Sequence, residues 1–303
     1  DRWSGQPALT MDDKMTTGGI DAPFLQAADK TLPLSRPLVM GILNITPDSF
    51  SDGGQLHDGR QPRLDQILKR AESMLLDGAD ILDIGGESTR PGATPVGSQQ
   101  EIDRVMPVLE HLRQNTDACF SIDTSNPALM RLAIEAGAHI INDVRALRRE
   151  GAVEAVVESS AAVCLMHMRG EPGTMQDDTR YDSVEAAVCG FLQQQSETLI
   201  AAGVDRCRIV LDPGFGFGKS PQQNMRLLAR MPKLLELGFP VLAGLSRKSV
   251  IAAVTGRDIH ERLPGSIALA TMAMEAGAKL LRVHDVAATV DAVRLFEAMQ
   301  REK

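Results

Sequence analysis

A chain of 303 residues, 43% hydrophobic and 24% charged, has the balance of a globular protein with one large α/β core or two smaller ones. A net charge of -8 and an aromatic content of 3% exclude a nucleic-acid partner, for want of basic charge to meet phosphates and rings to stack bases. No apolar run reaches the length of a membrane span and the four cysteines (Cys119, Cys164, Cys189, Cys207) form no C-x-x-C pair, so a cytoplasmic chain with free thiols and no membrane partner is expected.

Residues 1–30 are polar, aperiodic and without a secretory h-region, so a loose N-terminal extension is expected there, followed by a single domain over 31–303. From residue 38 a short apolar run, a polar loop and an amphipathic helix alternate. The apolar runs are LVMGILNIT (38–46), DILDIGG (80–86), CFSIDTS (119–125), HIINDV (139–144), AAVCLMHM (161–168), RIVLDPG (208–214), PVLAGLS (240–246) and AKLLRVHD (278–285). Three of the intervening helices stop on a Gly-Ala pair, at Gly78, Gly137 and Gly277, with glycine suited to a left-handed helix stop. Continuous apolar strands alternating with helices predict a parallel sheet covered by helices. Eight strand–helix units match a (β/α)8 TIM barrel, and an open doubly wound sheet would carry G-x-G-x-x-G after its first strand, which this chain lacks.

In such a barrel the catalytic groups stand at the C-terminal strand ends. Here those ends carry Asn44, the acids of 83–87, Asp123, Asn142, His167, Asp212, Ser246 and His284. A single Asp or Asn there reads equally as a turn former or helix cap; eight polar ends in register point to a mouth. Loop 44–54 (NITPDSFSDGG) reads as a lid with Phe50 at its tip, or as an ordinary polar loop. Loop 85–92 (GGESTRPG) presents Thr89 and Arg90, the latter a fork donor suited to phosphate. SRKS (246–249) brings Arg247 and Lys248 to a helix N-terminus, an anion site by dipole and charge. Arg282 and His284 lie on one face of the last strand end.

DPGFGFGKS (212–220) resembles a phosphate-binding P-loop, but that spacing needs glycine at 213, where Pro213 stands. Asp123, Asn142 and Asp212 suit the donor–acceptor edge of a 2-amino-4-oxo pyrimidine ring, common to guanine and pterins, while Arg90, Arg247, Lys248, Arg282 and His284 suit anions. Either Phe215 or Phe217 is expected to wall such a pocket, and Lys219 is expected outside it. His111, His139, His167 and His260 read as structural or solvated.

In order, NITPDSFSDGG, GGESTRPGA, SIDTS, INDV, MHMRGEPGTMQ, DPGFGFGK, GLSRKS and RVHD resemble the dihydropteroate synthases, from about residue 38 to the C-terminus. The resemblance implies a (β/α)8 barrel, a homodimer and a sulfonamide target. It implies a transferase that condenses 6-hydroxymethyl-7,8-dihydropterin diphosphate with p-aminobenzoate, releasing diphosphate and 7,8-dihydropteroate with Mg2+ as cofactor. By motif, Thr89, Asp123, Asn142, Asp212 and Lys248 fall at the pterin site. Asn44, Arg90, Arg282 and His284 fall at the diphosphate, with Asn44 beside the Mg2+. Phe50, Phe217 and Ser249 fall at p-aminobenzoate, and Asp123, Lys248, Arg282 and His284 in catalysis. A pterin-binding methyltransferase domain is the alternative, though it needs neither the Arg90 loop nor SRKS. The run 55–63 is longer than the family's usual lid.

Overall fold

In a computed structural model of the chain, residues 23–45, 64–88 and 96–303 are described. The eight expected strands form. They are β3 (Leu38–Asn44), β4 (Ile81–Gly85), β5 (Cys119–Asp123), β6 (Ile140–Asp143), β7 (Ala162–Met166), β8 (Ile209–Asp212), β9 (Leu242–Ala243) and β10 (Leu280–Val283), preceded by β1 (Phe24–Ala27) and β2 (Lys30–Pro33). The helices are α1 (Leu64–Leu76), α2 (Ser98–Asn115), α3 (Pro127–Glu135), α4 (Ala152–Val157), α5 (Val184–Ala201), α6 (Pro221–Ala229), α7 (Pro232–Leu235), α8 (Ser249–Thr255), α9 (Leu263–Glu275) and α10 (Val286–Gln300). Among the described residues no helix is long and apolar enough to cross a membrane.

The strands run parallel in the order β8-β7-β6-β5-β4-β3-β10-β9, and a parallel bridge between Leu211 and Val241 joins the two outer members into a barrel. Alternation along each strand splits the core. Val39, Leu82, Phe120 and Ile141 face the helices, whereas Leu38, Met40, Ile81, Cys119 and Ile140 fill the interior. The Gly-Ala stops occur as expected; Gly137, for example, takes φ 92°, which a side-chain-bearing residue adopts only with strain.

The N-terminal boundary differs from expectation. The antiparallel hairpin of β1 and β2 lies partly within the segment expected to be loose, and it plugs the end of the barrel where the strands begin. Leu25, Ala27 and Leu34 are buried with Leu38, Ile81, Ile140 and Leu280. Around the rim, Lys30 pairs with Asp117 and Asp29 meets His139, while the Ala28 amide donates to Ser160. Complete burial of each leucine contributes about 1.5–3 kcal/mol, enough to order a short ribbon once the barrel supplies the surface. One end is thereby closed, and the polar strand ends open at the other.

Candidate active site

Register brings the site together. Asn44 pairs with Gly85, Gly85 with Asp123, and Asp123 with Asn142, so four neighbouring strands end at one level. The missing side chain at Gly85 keeps this level open. A Cβ there would lie 3.6 Å from Asp123 Oδ2 and 3.7 Å from Asn44 Oδ1.

Arg282 is the hub. Its Nε donates to Asp83 Oδ2 at 2.6 Å and its Nη2 to Asp123 Oδ2 at 2.7 Å. Asn142 Nδ2 donates to the same Asp83 oxygen at 3.2 Å. Asp83 is fully buried, and its Oδ1 has no hydrogen-bond partner among the described residues. Burial raises the Asp123 carboxyl to about 7 despite Arg282, because two carboxylates share one guanidinium. The two acids in turn hold Arg282 firmly protonated. Arg282, expected at the anion, is held in place by these two acids.

Across the mouth, Asp212 ends β8 buried, and its Oδ1 accepts the Gly214 amide at 2.7 Å. Burial pushes its carboxyl up. The backbone then folds through Gly214, Gly216 and Gly218, all at positive φ. At Gly214 the requirement is absolute: a Cβ would sit 1.9 Å from the His167 carbonyl oxygen. Of the two phenylalanines, Phe215 belongs to the core, and Phe217 packs with Val144, Met166, Met168 and Met175. The Lys248 ammonium lies 4.2 Å from the Phe217 ring centroid. Desolvation and the nearby Arg282 bring Lys248 down to about 8.

The end of β10 closes the ring of groups. Ser246 Oγ accepts the His284 amide at 3.2 Å and lies 3.0 Å from its Nδ1. Ser249 begins α8 and is exposed, with Lys248 as the cap residue before it. Arg247, read as an anion group, is instead committed to Asp285 through two hydrogen bonds, at 3.0 and 2.5 Å.

Asn44, Asp123, Asn142, Asp212, Phe217, Lys248, Arg282 and His284 sit at strand ends or in the loops that follow, and Ser249 opens α8. Phe50, Thr89 and Arg90 lie outside the described residues. Asp83 and Ser246 were placed among the polar strand ends but given no substrate to bind, and Lys219 was placed outside the site. Asp83 had a signal, a carboxylate inside the otherwise apolar strand ILDIG. Lys219, expected outside the site, is buried beneath the glycine loop. Of the other histidines, His139 and His167 are buried and structural. Burial lowers His139 to about 4, and burial with Lys219 lowers His167 to about 3.

Mg2+ has one expected protein ligand, the Asn44 amide oxygen. Among the described residues no group of three His, Cys, Asp or Glu could hold a metal ion. A single neutral hard oxygen fits Mg2+, which retains waters and arrives with phosphate oxygens, and does not fit a metal caged by protein alone.

Comparison with known proteins agrees with this geometry. The family described as pterin binding enzyme matches residues 40–284. The dihydropteroate synthase of Haemophilus influenzae is 47% identical over 274 residues, covering 90% of this chain and 98% of the relative. Two solved structures are also similar. The Yersinia pestis dihydropteroate synthase with a sulfonamide drug has a TM-score of 0.86 at 47% identity, covering 92% of this chain and 99% of that one. The Xanthomonas albilineans enzyme with 4-aminobenzoic acid has a TM-score of 0.85 at 49% identity, covering 92% and 98%.

Proposed function

The chain belongs to the pterin binding enzyme family, among the dihydropteroate synthases, and from that premise we propose that it condenses 6-hydroxymethyl-7,8-dihydropterin diphosphate with p-aminobenzoate. The observation that carries this reading is the pairing of ring-reading and anion-binding groups in one mouth. Asp123, Asn142 and Asp212 converge from β5, β6 and β8, with Lys248, Arg282 and His284 beside them.

Asp212 and Asn142 take the donor–acceptor edge of the pterin, with Thr89 completing the pocket. Lys248, held against Phe217, faces the ring and lends positive charge. Arg282, His284, Arg90 and Asn44 take the diphosphate; Mg2+ when bound neutralises leaving-group charge there. Breaking the C–O bond to diphosphate leaves a cation on the exocyclic methylene, and the ionised Asp123 offsets it. Phe50, Phe217 and Ser249 orient p-aminobenzoate so that its amine attacks that carbon, the carboxylate lying at the start of α8. The attacking amine then loses a proton to solvent, so no strong base is required. Sulfonamides occupy the same subsite by the same reading.

A homodimer belongs to this proposal, supported by the exposed Leu263 and Met272 on α9 and Leu295 and Met299 on α10, two helices packed side by side. The function is tested by diphosphate release with each substrate omitted in turn. Release that needs both substrates and Mg2+ supports it; none with all three present refutes it.

A further inference from the structure

A buried lysine is costly unless its ammonium is fully hydrogen-bonded, and Lys219, 3% exposed, meets that condition in an unusual way. Its donors go to neutral acceptors. These are the carbonyls of Gly214 (2.8 Å), Phe217 (3.0 Å) and His167 (3.3 Å), and His167 Nδ1 (3.0 Å). Four acceptors saturate three N–H bonds, and His167 must stay neutral to serve as one of them. The carbonyls of Gly214 and Phe217 belong to a loop with three positive-φ glycines, a shape with little intrinsic preference, while that of His167 comes from just after the end of β7. On its outer side the loop is tied by Gln176 to the Gly216 carbonyl (2.8 Å) and by Tyr181 to the Gly218 carbonyl (3.0 Å). On its inner side Lys219 ties it, and Asn224 Oδ1 also accepts the Gly216 amide at 2.7 Å.

The link to the mouth is short. Gly214 gives its carbonyl to Lys219 and its amide to Asp212 Oδ1, so one residue joins the buried ammonium to the ring-reading carboxylate. Phe217 likewise gives its carbonyl to Lys219 while its ring meets Lys248. We propose that Lys219 is a positioning residue: by gathering the carbonyls of Gly214, Phe217 and His167 around one buried ammonium, it sets Asp212 and Phe217 in the arrangement that grips the pterin. The inference rests on the proposed reading of Asp212 as the pterin acceptor.

The test is a double-mutant cycle read by calorimetric binding of 6-hydroxymethylpterin, normalised to folded protein. Lys219→Met keeps length and removes every donor, and its dissociation constant should rise about tenfold. In an Asp212→Asn background the same change should cost less than about threefold, because the group being positioned has already lost its role. Unchanged affinity in Lys219→Met, or an equal loss in both backgrounds, overturns the proposal and leaves Lys219 a support of the fold alone. If Asp212→Asn itself binds as tightly as the parent, the reading beneath the proposal fails and the proposal falls with it. Should Lys219→Met not fold, Lys219→Gln, which reaches fewer carbonyls and buries no charge, carries the same cycle with the same outcomes.

Discussion

Asp83→Asn isolates the tether that holds two site residues at once. The substitution keeps shape and removes charge. Arg282 Nε then faces a neutral oxygen in place of a carboxylate at 2.6 Å, which converts a charge-assisted bond of about 1.5–3 kcal/mol into an ordinary one near 1 kcal/mol. The new amide nitrogen must occupy either the Oδ2 position, against the donors of Arg282 and Asn142, or the Oδ1 position, which is buried and has no hydrogen-bond partner among the described residues. The second is the less costly, and a buried unsatisfied donor there adds about 1–3 kcal/mol. The net loss should be about 2–4 kcal/mol, reduced somewhat because Arg282 retains Asp123. Urea unfolding should show a lower midpoint with an unchanged m-value. Loosening Arg282 and Asn142 together should also lower kcat/KM about a hundredfold. A stability change under about 0.5 kcal/mol with kcat/KM within about twofold of the parent would refute the tether.

Two further predictions follow from the glycine loop and from the charges in the mouth. Gly214→Ala, at φ 67° with its Cβ driven to 1.9 Å from a carbonyl, should cost about 3 kcal/mol or more and abolish pterin binding. Gly190→Ala, in the middle of α5, where among the described residues nothing beyond the surrounding helix backbone comes within 4 Å of the added carbon, should instead gain about 0.5–1 kcal/mol; equal effects of the two in urea unfolding would contradict the packing argument. On the proposed reading, which puts Asp123 and Lys248 at the pterin site, binding is strongest with Asp123 ionised and Lys248 protonated. Affinity for 6-hydroxymethylpterin should therefore rise with pH toward about 7 and decline above about 8. Asp123→Asn should remove the acid limb and keep the alkaline one, and a calorimetric profile flat across that range would rule out both assignments.

The barrel was legible because a parallel strand covered on both faces is apolar at nearly every position, so each of the eight runs stood out from its loops. The hairpin was not. β1 buries only alternate residues and β2 buries none fully, and the turn passes through Ala28 at φ 54° without the glycine that usually marks such a turn. Strand-end chemistry was legible as residue type and position, which put Asp123, Asn142, Asp212, Lys248, Arg282 and His284 at the mouth, where the structure has them. Partners distant in sequence were not: Arg247 reads as a free cation until Asp285, 38 positions on, meets its guanidinium. Lys219 reads as a solvated charge after a glycine loop, because nothing local reveals that the loop's carbonyls turn inward toward it. The same blindness left Phe215 and Phe217 equivalent until packing assigned one to the core and one to the mouth.

The central claim is the joining of a pterin to p-aminobenzoate at this mouth. Incubating the chain with the dihydropterin diphosphate, isotopically labelled p-aminobenzoate and Mg2+, and weighing the products by mass spectrometry, tests it most directly. Labelled 7,8-dihydropteroate should accumulate in step with diphosphate and fail to form in Asp212→Asn. No labelled pteroate from the parent chain, or equal formation by the variant, would contradict the account.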